Sequence, residues 1–254
     1  MKSFIISGLM ATAALSIGVP NGLDHFDCGA PKPSLQLLDT HKAMSKMEAI
    51  AHPILAKANI VVNVYVHIVA ASRSVSDGYV SDATIADQIK VLNDNYAPSG
   101  ISFVFNTTDR PINPDWSNDP ETYEYDMKSS LRKGTYKDLN LYYTKSIGKY
   151  LGYCHFPTNA SDGDEDFEID GCTIVASSMP GNAGQYGLGK TTTHEVGHWF
   201  GLLHTFQGGC NGGDSVADTP AQASASRGCP TGRDSCPNDP GLDPIHNYMD
   251  YSSE

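Results

Sequence analysis

The sequence predicts an α+β fold with two unequal lobes. The first is a mixed, twisted sheet with helices packed on it, and the second is irregular and tethered by disulfides. Three observations predict this. Between residues 59 and 177, short β-branched runs are interleaved with one amphipathic helical stretch. A second helical stretch around residues 193–204 follows the last of those runs. From Gly208 onward Gly, Pro, Asp and Ser dominate and periodicity vanishes, so an ordered chain there needs covalent tethers.

Residues 1–19 have the shape of a secretory signal. Lys2 precedes a mostly apolar run from Phe4 to Val19, and Ala11-Thr12-Ala13-Ala14 supplies small residues for cleavage. The run is short for a membrane span, which needs about 20 apolar residues, and no later segment is long and apolar enough. Residues 20–57 carry Asp27-Cys28-Gly29, two prolines, and Leu38, Met44, Met47, Ala51, Ile54 and Leu55 at spacings near three and four. They read as a helical pro-segment or N-terminal extension, which leaves residues 58–254 as the folded domain.

Residues 59–70 alternate and are β-branched, a strand. Residues 82–96 place Ile85, Ile89, Leu92 and Tyr96 on one face behind a Ser81 or Asp82 cap, a helix. A second strand, 101–105, follows the Pro98-Ser99-Gly100 turn. A loop rich in Pro, Asn and Asp runs to residue 120, and a short helix is expected near 121–132. Strands are expected at 138–147 and 172–177, and the helix around 193–204 closes the lobe.

With 40% hydrophobic and 18% charged residues, the chain of 254 can bury a sizeable core and is too apolar for disorder. A net charge of −12 repels nucleic acid and anionic membranes, so neither is expected as a partner. Six cysteines suit an oxidising, exported setting. Asn106-Thr107-Thr108 and Asn159-Ala160-Ser161 are acceptor sites for N-linked glycans there.

The stretch Thr193-His194-Glu195-Val196-Gly197-His198-Trp199-Phe200-Gly201-Leu202-Leu203-His204 carries the chemistry. His194 and His198 are four apart and share one helix face, where two imidazoles can hold one zinc ion. Glu195 is placed to polarise a water beside them. Gly201 lets the helix stop and turn, returning His204 as a third nitrogen ligand. Three protein ligands leave a position open, the arrangement of a catalytic rather than a structural zinc site. A capping box formed by Thr192 and Glu195 is the plainer alternative, but it leaves three histidines unexplained.

The pattern His194-Glu195-x-x-His198-x-x-Gly201-x-x-His204 resembles the metzincin metalloproteases. The flanking words His204-Thr205-Phe206, Gly209-Cys210, Asp218-Thr219-Pro220-Ala221 and Ile245-His246-Asn247-Tyr248-Met249-Asp250-Tyr251-Ser252 are similar to the pappalysin type, and most to small secreted fungal metalloproteases. The resemblance runs from about residue 60 to the end. It implies a monomeric secreted zinc endopeptidase acting on extended polypeptides, with Met249 as a Met-turn floor under the imidazoles. It also implies Glu195 as general base and acid, and Tyr251 as a hydroxyl that binds the metal or steadies the oxyanion. Substrate is expected beside an edge strand at 172–177.

The same resemblance implies calcium, with Asp214, Asp218 and Thr219 as oxygen donors that are equally suited to a plain turn. Cys154 is expected to pair with Cys172 across an acidic loop, and Cys210 with Cys236 across the irregular lobe, although spacing alone leaves fifteen pairings open. Related sequences continue past the Met-turn with another cysteine, so with the chain ending at Glu254 a shortened form with Cys229 free is expected. Cys28 is expected to latch the zinc and keep the enzyme latent as a zymogen; a Cys28–Cys229 disulfide or a free thiol are the alternatives. A catalytically inactive, metzincin-like secreted binding module is the rival from another functional class. Retention of Glu195 and all three histidines argues against it.

Overall fold

The computed structural model describes residues 27–50, 59–182 and 185–253. The signal sequence, and Ala51, Ile54 and Leu55 of the N-terminal helical pattern, lie outside the described residues. The elements in chain order are α1 (Leu35–Ile50), β1 (Ile60–Ile68), α2 (Asp82–Tyr96), β2 (Ile101–Asp109), α3 (Pro114–Asn118), α4 (Glu124–Leu131), β3 (Leu139–Thr144), β4 (Gly152–Cys154), α5 (Glu165–Glu168), β5 (Cys172–Val175) and α6 (Lys190–Trp199).

The strands form one sheet in the order β2-β1-β3-β5-β4. β1 runs parallel to β2 and β3, and β3 parallel to β5; β4 alone is antiparallel, against β5. Alternation in β1 sends Val62, Val64, Val66 and Ile68 to one face. There they meet Ile85 and Leu92 of α2, Val196 of α6, and Leu139, Leu141 and Ile174. The opposite face packs Tyr142 and Val69 on Met127 of α4, with Trp116 and Leu131 beside them. The sheet is therefore covered by α2 and α6 on one side and α4 on the other. The Ser81 hydroxyl caps α2 by accepting from the Thr84 amide at 3.2 Å.

Two expectations need correction. Residues 172–177 are not an edge: β5 lies between β3 and β4, and its last two expected residues turn into a 3-10 segment, Ala176–Ser178. The edge on that side of the sheet is β4, whose three residues begin with a glycine and offer too short a run for alternation to register. The expected loop before residue 120 contains α3, started by the Asn113 side chain, which accepts from the amides of Asp115 and Trp116. The helical pattern expected in the N-terminal segment forms as α1, in which Met44 and Met47 are exposed and Leu37 in the first turn is buried.

From Gly201 onward no helix or strand forms among the described residues. The Cys210–Cys236 disulfide and a buried side-chain network hold this lobe. Gln222 accepts from the Thr205 hydroxyl and donates to Ser226 and to the Asp250 carboxylate. A second disulfide, Cys154–Cys172, joins β4 to β5.

Behind the sheet, the fully buried Lys128 pairs with Glu124 at 2.7 Å, and His155 meets the same carboxylate at 2.9 Å. Burial works to raise the Glu124 pKa, but Lys128 and His155 outweigh it and hold the carboxyl down at about 2. A carboxyl depressed on folding contributes stability above its unfolded pKa and loses it as pH falls toward the folded value. Between about pH 4.5 and 2 the protein should therefore lose on the order of 1–3 kcal/mol through this group. Thermal unfolding of Glu124→Gln across that range should show a shallower acid slope than the wild type; parallel slopes would contradict the assignment.

Candidate metal and catalytic centre

α6 runs beneath the sheet edge with His194, Glu195 and His198 all buried. The helix ends because Gly201 adopts φ +93°, a left-handed conformation that favours glycine. The Gly201 amide donates to the His198 carbonyl and the Leu202 amide to the Gly197 carbonyl, at 2.8 and 2.9 Å. This turn brings His204 back to α6. The three Nε2 atoms converge: His194 to His204 3.2 Å, His194 to His198 3.2 Å, and His198 to His204 3.0 Å.

Nδ1 of His194 faces the Tyr248 carbonyl at 2.6 Å, and Nδ1 of His198 faces the Leu202 carbonyl at 2.8 Å. A carbonyl only accepts, so both Nδ1 atoms carry hydrogen and the neutral rings turn lone pairs inward from Nε2. Burial pushes all three imidazoles down, helped by neighbouring histidines at His194 and His204; His198 falls to about 4 and His204 to about 3. Buried, neutral nitrogens aimed at one point lack a donor among themselves, and a divalent cation fits them.

Glu195 is fully buried, its Oε1 finds no partner, and burial raises its carboxyl to about 8. It sits so close to β4 that a Cβ at Gly152 would lie 2.7 Å from its Cγ. Met249 is buried with its sulfur against Gly197, where any side chain would collide with it. The Tyr251 ring lies 4.9 Å from the His204 ring and 5.7 Å from the His194 ring. A cavity of about 280 Å³ opens beside His194, lined by Tyr186, Thr191, Ile245 and Tyr248 among others.

The N-terminal segment reaches this centre. Asp27 to Gly29 lie along the free side of β4, the Leu151 amide donating to the Asp27 carbonyl and the Gly29 amide to the Gly152 carbonyl. Between them, the Cys28 sulfur and one ring nitrogen each from His194, His198 and His204 all lie within 4.8 Å of one another. The thiol donates to Glu195 Oε2 at 3.4 Å, and burial, followed by the Glu195 charge, raises its pKa well above the ordinary thiol value. The Cys28 amide donates to the Tyr251 hydroxyl at 3.3 Å. Cys229, by contrast, is an exposed free thiol.

Elsewhere, Asp214 is buried and accepts from the Val216 amide, while Asp218 is exposed and its charge adds to the burial that raises the Asp214 carboxyl. Asn106 and Asn159 are both exposed. Several residues that serve the centre carry no sequence signal. Asn95 donates to the Thr193 hydroxyl and accepts from the Tyr248 hydroxyl, tying α2 to α6 and to the Met249 loop. Gly152, Gly197 and Gln222 read in sequence as ordinary turn or helix residues.

Residues 179–254 match the peptidase family described as pregnancy-associated plasma protein-A. The extracellular metalloprotease of Pyricularia oryzae is 55% identical over 253 residues, covering 97% of this chain and 88% of its own. The chain belongs to the pappalysin-type metzincin metalloproteases. The extracellular metalloprotease of Neurospora crassa is 54% identical over 257 residues, 99% of this pappalysin and 89% of its own length. Mature mirolysin of Tannerella forsythia, solved with a cleaved peptide, matches with a TM-score of 0.63 at 29% identity, over 78% of this chain and 85% of that one. A promirolysin mutant from the same organism gives a TM-score of 0.65 at 24% identity over 89% and 87%, and shows the shared fold. This pappalysin is thus a metal-dependent endopeptidase acting on polypeptides.

Proposed function

We propose that this pappalysin is a secreted zinc endopeptidase held latent by its own N-terminal segment. The observation that carries the proposal is the convergence of three neutral Nε2 atoms beside the unpartnered, buried Oε1 of Glu195. His194, His198 and His204 would hold zinc, which when bound supplies the Lewis acidity that activates water and polarises a carbonyl. Glu195 takes the proton of the attacking water and delivers it to the leaving amine. Tyr251, a phenol between the histidines and the cleft, donates to the developing oxyanion. Met249 under α6 fixes the floor.

Substrate adds a strand to β4, the groove now filled by Asp27 to Gly29. Residues 1–19 direct export, residues 20–57 form the removable segment with Cys28 as the zinc-directed latch, and residues 58–254 catalyse. Asp214, Asp218 and Thr219 offer oxygen donors for calcium, and Asn106 and Asn159 are glycan acceptors on the exported protein.

Proteome-wide mapping of cleavage sites with and without a zinc chelator tests the reading. New termini should appear in an unfolded protein mixture, disappear with chelator, and return on adding zinc. Termini that persist undiminished under chelation would rule the metal mechanism out.

A further inference from the structure

We infer that Arg227 is a specificity-determining residue, selecting peptide substrates with an acidic side chain next to the scissile bond. The inference rests on the proposed reading of β4 as the substrate edge.

The observations lie at the contact between the N-terminal segment and the cleft. The Asp27 carboxylate pairs with the Arg227 guanidinium at 2.9 Å. The same guanidinium carbon lies 5.1 Å from the centre of the Tyr251 ring, the ring whose hydroxyl contacts the backbone of Cys28. The backbone beside that carboxylate is already strand-like, because the Asp27 carbonyl accepts from Leu151. Asp27 thus presents its side chain as a bound peptide would, one residue from the position that Cys28 holds against the histidines.

An exposed ion pair on a protein surface is worth little and would justify no role. Two features separate this one. First, the cation is placed over an aromatic ring inside the centre, which fixes it at the cleft wall. Arginine suits this because its planar fork can lie on a ring and still meet a carboxylate, which an ammonium cannot reproduce. Second, the side chains of Arg227 and Asp27 remain 43% and 29% exposed, so the guanidinium stands at the mouth of the groove where a substrate can reach it. The chain has 17 basic against 29 acidic residues, so a cation held at the cleft runs against the general field and locally favours acidic peptides.

When the segment leaves, a peptide strand replaces it along β4 and its neighbouring side chain meets the same guanidinium. The segment runs parallel to β4. A substrate paired antiparallel would place its acidic residue on the C-terminal side of the cleaved bond. The same arginine would then serve twice, first holding the segment and later choosing the substrate.

The test uses the full chain, expressed with its N-terminal segment and activated by limited trypsin treatment. Peptides identical except for Asp, Ala or Lys at the first two positions after the scissile bond are compared by kcat/KM. In the wild type the Asp peptide should lead the Ala peptide by about tenfold at one of these positions, mainly through KM. Arg227→Gln should bring that ratio near one, and Arg227→Glu should make Lys the preferred residue there. Should the variants fold poorly, the wild type alone supplies a second readout: its Asp preference should shrink as salt is raised. An unchanged ranking in the variants, or a ranking indifferent to salt, overturns the inference while chelator-sensitive cleavage leaves the protease reading standing. Absence of chelator-sensitive cleavage from the activated wild type overturns both.

Discussion

Glu195→Gln should retain zinc and lose cleavage by about 10³-fold or more. The carboxylate is not one of the three nitrogens, so the amide leaves the metal ligands and their carbonyl partners untouched. It removes only the carboxylate proposed to accept the proton. Gln is nearly the same size, and the tight approach of Gly152 to this side chain is preserved. Metal content by mass spectrometry and kcat on a peptide substrate check the two halves separately. A variant that keeps zinc and cleaves at more than a tenth of the wild-type rate would move the base elsewhere.

Cys28→Ala should release the unprocessed chain from latency. The thiol stands among the histidines, donates to Glu195, and is held there by the strand pairing of Asp27 and Gly29 with β4. An intramolecular ligand of this kind acts at high effective concentration, so its loss should raise activity before processing on the order of 10²-fold. Cleavage of a short peptide by full-length Cys28→Ala and by wild type, each checked for intact mass, measures this. Equal latency in both would show that the segment blocks by covering β4 alone. Cys229→Ala serves as the control, being an exposed thiol.

Much of this was legible in the sequence, and the parts that were not share physical reasons. The bounds of α2 could be read to the residue because a hydroxyl cap and an apolar stripe coincide. His194 and His198 were legible because helical geometry converts spacing into a shared face, and His204 because Gly201 marks the turn that returns the chain. β4 was not, because three residues beginning with a glycine carry no period, and omitting it misassigned the edge to β5. Gly152 and Gly197 gain meaning only when a strand and a helix are face to face. In α1 the methionines obey helical spacing yet face solvent, since a periodic stripe marks a helix and does not reveal whether a partner covers it.

The pairing of Asp27 to Gly29 with β4 bears on the life of the chain before activation. An open sheet edge is a template for pairing with other chains and so an aggregation hazard. While the segment is in place, that edge is already satisfied and presents no vacant ladder to a neighbour. Were it removed, as proposed, the bared edge would be only three residues long and joined to β5 by the Cys154–Cys172 bond, too short and too fixed to seed a fibril. The segment therefore covers this edge without being what keeps it from aggregating, and solubility should stay constant when activity appears.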